Sequence, residues 1–199
     1  LLLYNMDVIF LRVLIDSEAV GHYAAAYMLI SFLANIGMVY GLSLLPAMAK
    51  ETEADAAHED RYVTIEMYHT ALAHVFTVTM PVAVGGMFVA FNIINLGFGP
   101  AYAAITSAPQ VLVWVIPVAV LRNVPWSALI ARGRQNLLMR STLFAVCVNT
   151  VLNLVLIPRV GMVGAAFATL AAEPVACAFM LYYAQRNGLP IIPLHRLIK

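Results

Sequence analysis

Residues 162–185 read MVGAAFATLAAEPVACAFMLYYAQ, a run in which Glu173 is the only charged side chain. About 20 apolar residues span the hydrocarbon core of a bilayer as a helix, because every backbone polar group is then hydrogen-bonded within its own segment. Five further apolar runs precede this one along the chain. They occupy residues 1–15, 21–49, 62–96, 103–131 and 136–157. The sequence therefore predicts an all-α, polytopic transmembrane bundle of about six helices.

The composition supports a membrane protein and excludes several other classes. Hydrophobic residues make up 63% of the chain and charged residues 11%, whereas soluble domains have about 45–50% and about 25%. A net charge of +1 gives no reason to expect a nucleic-acid partner. Cys147 and Cys177 both lie in apolar runs and are expected to be reduced, buried thiols. The chain has no motif for hydrolase, nucleotide or zinc chemistry, so we expect no catalytic site, cofactor or metal site.

Polar segments and prolines divide the chain between and within the runs. The hydrophilic segment 50–61 is predicted to be a solvated loop, and Gly97-Phe98-Gly99-Pro100 a tight break. Pro81 is expected to kink the third helix, because proline removes one internal hydrogen bond. The first turns of that helix, 62–69, are expected to lie along the membrane surface, and the basic segment 186–199 at the interface. The fourth helix is predicted to be interrupted by Pro109, Pro117 and Pro125.

The distribution of Lys and Arg predicts the orientation, since cytoplasmic loops are enriched in these residues. The connections on one side of the predicted bundle, together with the C-terminal segment, carry Lys50, Arg61, Arg132, Arg134, Arg140, Arg186, Arg196 and Lys199. The connections on the opposite side carry only Arg159. Both ends of the chain are therefore predicted to be cytoplasmic.

Four charged side chains lie inside the first, fourth and sixth predicted spans, where an unpaired charge costs at least about 2.5–3.5 kcal/mol. Asp7 and Arg12 are five residues apart on one helix and point in different directions, so Asp7 needs a cation from another helix or a cavity. Arg12 and Arg122 either snorkel to the interface or line a cavity. Glu173 lies at mid-depth. It is either a structural ion pair with Arg122 or Arg12, or a titrating cavity group.

Single amides on the apolar helices are candidates for interhelical hydrogen bonds. Asn35, Asn149 and Asn153 are of this kind, as is His74, and such groups are more often structural than ligand-binding. Asn123 follows Arg122 directly, between Pro117 and Pro125.

Three stretches carry a resemblance to a known family. Residues 149–169 read NTVLNLVLIPRVGMVGAAFAT, residues 20–27 read VGHYAAAY after Asp7, and residues 96–102 read LGFGPAY. Together they resemble the polysaccharide exporters and lipid-linked oligosaccharide flippases of the multidrug/oligosaccharidyl-lipid/polysaccharide exporter superfamily. The first stretch, which resembles the penultimate-to-last helix signature, is fairly specific; the other two are weak alone but occur in the family's order.

The resemblance implies a fold of two six-helix lobes around a central cavity. Residues 1–199 would form the C-terminal lobe, and the N-terminal lobe would lie outside this chain. The expected function is export of an undecaprenyl-diphosphate-linked glycan across the bacterial cytoplasmic membrane by alternating access. The expected partners are that lipid-linked glycan, membrane lipids, the N-terminal lobe and glycan polymerase machinery.

The same resemblance suggests roles for the polar residues of the spans. Arg12 and Arg122 are candidates for holding the diphosphate, because the planar guanidinium suits phosphate geometry. Candidates for facing the sugar are Asn35, Asn123 and Asn149. Asp7 and Glu173 either couple transport to protons or sodium, or serve as counter-ions for the arginines.

Two other functions remain open from the sequence. A cation-coupled multidrug exporter of the same superfamily would use acidic cavity residues to bind drug cations. A non-transporting scaffold or a glycan-ligase-type membrane enzyme is the third possibility, but such an enzyme needs long outer loops, and the predicted outer connections are only a few residues long.

Overall fold

The computed structural model describes residues 2–56, 61–99 and 107–189, and within these ranges the chain is almost entirely helical, with no strand. The helical segments are α1 (Leu2–Leu14), α2 (Ser17–Ala56), α3 (Arg61–Phe98), α4 (Ser107–Leu112), α5 (Val115–Ala131), α6 (Gln135–Val160) and α7 (Met162–Arg186). The prediction of an all-α bundle is confirmed. The segments α4 and α5 together correspond to one predicted helix, so the described residues form the expected six helices.

Among the described residues, five helices are long and apolar enough to cross a membrane. These candidate spans are Ser17–Lys50, Ile65–Ala90, Ser107–Ala131, Gln135–Val160 and Met162–Arg186. The first predicted span is represented by the shorter helix α1. Large apolar side chains such as Phe32, Val78 and Phe88 are exposed on the outside of the bundle, as expected where lipid tails rather than water surround the helices.

The fourth predicted helix is interrupted at one position among its described residues. Helix α4 ends at Leu112 and α5 begins at Val115. Pro117 has no N–H to donate to the carbonyl of Val113. The Ile116 N–H donates to that carbonyl at 3.2 Å instead, which tightens the turn. The expected interruptions at Pro109 and Pro125 are wrong, because each proline lies inside a helical segment. Residues 103–106 of the prediction lie outside the described residues.

The predicted loop over residues 50–61 is mostly helical. Helix α2 continues to Ala56 and α3 starts at Arg61; residues 57–60 lie outside the described part of the chain. The apolar run ends near Ala49, but Ala, Glu and Lys are good helix formers, so the helix continues beyond the apolar region. At its other end, α2 begins at Ser17 rather than residue 21, because the Asp16 carboxylate accepts from the Ala19 N–H at 2.7 Å and caps the helix.

Helix α7 lies at the centre of the bundle, packed against α6 and α5. Most residues on its buried face are small, which lets the neighbouring helices approach closely. They include Gly164, Ala165, Ala168, Ala172 and Ala176. A Cβ added at Gly164 would lie 2.6 Å from the backbone carbonyl of Leu156 on α6. Gly161, with a φ of 61°, forms the short turn between these two helices.

Candidate functional site

The Asp7 carboxylate is fully buried and accepts hydrogen bonds from four side chains. The Tyr23 hydroxyl donates to Oδ2 at 2.5 Å, and the Thr169 hydroxyl donates to the same oxygen. The Nδ2 atoms of Asn149 and Asn153 donate to Oδ1 at 3.0 Å and 2.6 Å. These five residues are referred to below as the Asp7 cluster.

Four helices contribute to the Asp7 cluster. Asp7 lies on α1 and Tyr23 on α2. Asn149 and Asn153 are four residues apart on α6, so both project from one face of that helix. Thr169 faces them from α7, where its hydroxyl also lies 3.4 Å from Asn149 Nδ2. The turn at Gly161 brings α6 and α7 alongside each other and so places these groups together.

The donors around Asp7 are all neutral. The sequence predicted a cation from another helix or a cavity for Asp7, and a counter-ion role toward arginine was one alternative. Within the described residues, Asp7 is instead held by hydroxyl and amide groups from neighbouring helices. Burying one negative charge among neutral dipoles is costly unless its hydrogen bonds are satisfied, and four donors satisfy them here.

Asn149 belongs to the buried cluster rather than to a cavity wall. Its side chain is fully buried, its amide donates to Asp7, and its Oδ1 accepts from Asn153 Nδ2 at 3.0 Å. The interhelical hydrogen bond predicted for Asn149 is confirmed, and its suggested contact with a sugar stays a prediction. The Asn153 Oδ1 is buried and has no hydrogen-bond partner among the described residues. The cluster thus gathers oxygen atoms around one carboxylate and leaves one amide oxygen with coordination capacity.

A second polar site joins α5 and α7. Arg122 Nε lies 3.1 Å from Glu173 Oε2, and the two side chains are 26% and 9% exposed. The structure thus selects Arg122 among the partners considered for Glu173. Thr169 and Glu173 are four residues apart on α7, so the ion pair lies about 6 Å along the helix from the Asp7 cluster on the same face.

The remaining candidates lie elsewhere on the bundle. Asn123 is half-buried on α5 and packs closely against Gly41 of α2, where a Cβ added at Gly41 would lie 2.8 Å from the Asn123 Cβ. The Ser127 hydroxyl donates to the Gly41 carbonyl at 2.6 Å in the same contact. Arg12 on α1 and Asn35 on α2 are exposed. The binding roles suggested for Arg12, Arg122, Asn35 and Asn123 stay predictions.

Sequence reasoning did not recognise the cluster itself. Tyr23, Asn153 and Thr169 were not proposed as site residues, although all three lie in the stretches that carry the family resemblance. The four-residue spacing of Asn149 and Asn153 was the available signal for α6, because it places two amides on one helix face. For Tyr23 there was no comparable signal.

Comparison with known proteins found no family model and no curated protein that matches the chain. A solved structure does: a MOP superfamily transporter from Pyrococcus furiosus Vc1 (DSM3638), a protein whose binding pocket has reversed polarity, which suggests a different function for it. The TM-score is 0.79 at 21% sequence identity, over 98% of this chain and 43% of that one. This chain shares its fold with part of a MOP superfamily transporter.

At this sequence identity the comparison shows a shared fold, and membership of the superfamily stays a prediction. The chain spans less than half the length of the Pyrococcus protein. Assignment to the flippase branch of the superfamily, and to the C-terminal lobe, stays a prediction.

Proposed function

We propose that this chain is one lobe of a membrane transporter that moves an undecaprenyl-diphosphate-linked glycan across the bacterial cytoplasmic membrane by alternating access. The observation that carries the transport proposal is the Asp7 cluster, a buried carboxylate shared by four helices. A charged group deep in a membrane bundle is expensive and generally functional. The assignment of a glycan as the substrate rests on the family resemblance of residues 149–169 and on Arg122 as a candidate phosphate ligand.

The Asp7 cluster is suited to bind a small monovalent cation that couples to transport. One carboxylate balances one positive charge, and the surrounding amide and hydroxyl groups provide neutral oxygen ligands. Asn153 Oδ1 has no hydrogen-bond partner in the described chain, and such an oxygen is a natural ligand for a cation. A proton needs only the carboxylate, whereas the neutral amide and hydroxyl oxygens around Asp7 can act as ligands for a metal ion, so we favour sodium over a proton.

Cation binding here would affect the relative positions of the helices. Asp7, Tyr23, Asn149 and Thr169 come from α1, α2, α6 and α7. A cation bound between these residues stabilises the arrangement in which they converge, and its release favours an arrangement in which they separate. A difference in affinity between two conformations is what allows a ligand to drive alternating access.

Arg122 is the leading candidate for holding the diphosphate. Its side chain is 26% exposed, so part of it is accessible from the surface while Glu173 holds its buried Nε. A phosphate group arriving at this surface meets a planar donor that suits it geometrically. Arg12 on α1 is the second phosphate candidate, and Asn35 and Asn123 are candidates for sugar hydroxyls.

The multidrug alternative needs an acidic residue that can reach a drug cation. The buried acidic residues of the described chain are Asp7 and Glu173. Asp7 is fully buried and accepts four hydrogen bonds, and Glu173 is paired with Arg122. Neither is placed to bind a drug-sized cation in this conformation, which favours the glycan over the drug.

The test is an assay for glycan export in cells that carry the complete transporter. If Arg122 holds phosphate, Arg122→Lys should lose much of the export activity, because a point charge does not replace the planar guanidinium. Arg122→Ala should lose more, at near-normal protein level. Arg140→Lys, an exposed arginine on α6, is the matched control and should export normally. Unchanged export in both Arg122 variants would reject the phosphate role.

A further inference from the structure

A groove runs between α2 and α3, over a floor formed by α5. The two helices both pack against α5 and leave a cavity of about 290 Å³ between them. The buried lining of the groove comes from all three helices. It consists of Gly37 on α2, Val75 on α3, and Ile116 and Val120 on α5. Val78 on its rim is 64% exposed, so the groove is open along one side. We call this feature the α2–α3 groove.

The groove changes character along its length. A second cavity of about 430 Å³ adjoins the first, since Tyr40 and His74 line both. The first cavity is almost entirely apolar, whereas the second is also lined by Glu66 and Thr70. Glu66 is exposed and lies five residues after Arg61, where α3 begins beside the hydrophilic segment 50–61. The polar end of the groove is therefore the end nearer this hydrophilic segment, which we expect to lie among the lipid headgroups.

The dimensions match one leaflet of a bilayer. From Glu66 to Val82, the groove follows 16 residues of α3, which corresponds to about 24 Å. One leaflet measures about 20–22 Å when its headgroups are included. A side opening at this depth gives access to lipid rather than to water. The occupant that fits is a single amphiphile, with a hydrocarbon chain in the apolar part and a headgroup beside Glu66.

The charge of the groove lining determines which lipid headgroups it attracts. Among the described residues, those that line the polar end include Glu66 and His74 but no Lys or Arg. This lining repels the diphosphate of the proposed transport substrate and attracts an ammonium group. We propose that the α2–α3 groove is a binding site for a phospholipid with a primary amine headgroup. This proposal is independent of the transport proposal.

The test is native mass spectrometry of the complete protein, purified in detergent and mixed with equal amounts of phosphatidylethanolamine and phosphatidylglycerol. The wild-type protein should retain the amine lipid about fivefold more than the glycerol lipid, as one exposed ion pair allows. Glu66→Gln should abolish this preference, because it removes the charge without changing the shape of the site.

Two tryptophan variants test the apolar part of the groove. Val78→Trp fills the groove and should reduce retention of both lipids. Val84→Trp is the matched control, since Val84 is 45% exposed and does not line the groove; its retention should equal that of the wild type. Equal retention of the two lipids by the wild type, or an undiminished preference in Glu66→Gln, would overturn the proposal. Displacement of the amine lipid by an equal amount of undecaprenyl diphosphate would overturn it as well.

Discussion

Two carboxylates, Asp7 of α1 and Glu173 of α7, lie about one helical turn apart in the direction of the α7 axis. They are stabilised in opposite ways. Asp7 is fully buried and is held by neutral hydroxyl and amide groups from three other helices. Glu173 is held by the guanidinium of Arg122, whose side chain is 26% exposed. The charge of Glu173 is thus neutralised by the permanent cation of Arg122. The charge of Asp7 is balanced only by the dipoles of hydroxyl and amide groups.

This difference indicates where a mobile cation can act. At Glu173 the cation is part of the chain, so the pair mainly joins α5 to α7. At Asp7 the negative charge is compensated only by hydrogen bonds within the described residues, so a small cation gains a strong electrostatic interaction by binding there.

Removing the Asp7 carboxylate should have the largest effect. Asp7→Ala leaves four buried donors without their acceptor, which should cost at least about 3 kcal/mol. Asp7→Asn retains one acceptor oxygen and should cost less. The thermal midpoint and the yield of folded protein after purification measure both effects. An Asp7→Ala protein as stable as the wild type would contradict the buried, hydrogen-bonded arrangement.

The close contact of α6 and α7, which positions the Asp7 cluster, should be sensitive to one methyl group. Gly164→Ala places a Cβ 2.6 Å from the Leu156 carbonyl, and such overpacking should cost about 1–3 kcal/mol. Gly21→Ala is the matched control. A Cβ there has nothing within 4 Å, and alanine favours the interior of α2 by about 1 kcal/mol. Equal thermal midpoints for the two variants would argue against the close packing.

Breaking the Arg122–Glu173 pair should have a smaller effect than removing Asp7. A fully buried pair costs about 3–5 kcal/mol when one partner is removed. Since Arg122 can partly reach water, we expect about 1–2 kcal/mol for Glu173→Gln, between the values for buried and exposed pairs. A double-mutant cycle with Arg122→Gln measures the coupling. A coupling energy of zero would show that the pair does not hold α5 to α7.

The orientation can be tested without changing stability. A cysteine placed at Ser17 should react with an impermeant thiol reagent from outside the cell, and one placed at Ala56 should not. Cys147 is replaced by Ala in the background, because it is exposed and the prediction that it is buried is wrong. The reverse pattern would overturn the orientation inferred from Lys and Arg.

The sequence predicted the fold better than the site. Apolar runs located α6 and α7 to within a few residues, because membrane helices require long uninterrupted apolar stretches. Three details were missed for local reasons. Helix α2 begins earlier than predicted, directly after its capping residue Asp16, and it extends through the charged residues after Ala49. Of the three prolines in the fourth predicted helix, only Pro117 marks a break.

The site depends on contacts that no local pattern specifies. The pairing of Glu173 with Arg122 was among the alternatives, since a charge at mid-depth requires a partner. The neighbours of Asp7 were not foreseen, because α1, α2, α6 and α7 come together only in the folded bundle. Asn149 illustrates the limit: its residue type fits a sugar contact and a buried hydrogen bond equally well.

If the Asp7 cluster binds the coupling cation, the thermal stability of the purified complete protein should depend on sodium. Sodium at about 100 times its Kd should stabilise the wild type by about 2.7 kcal/mol relative to potassium. Glu173→Gln should retain this sodium-dependent increase in thermal midpoint, whereas Asp7→Asn should lose it. A sodium effect that persists in Asp7→Asn, or that is absent from the wild type, would contradict the account.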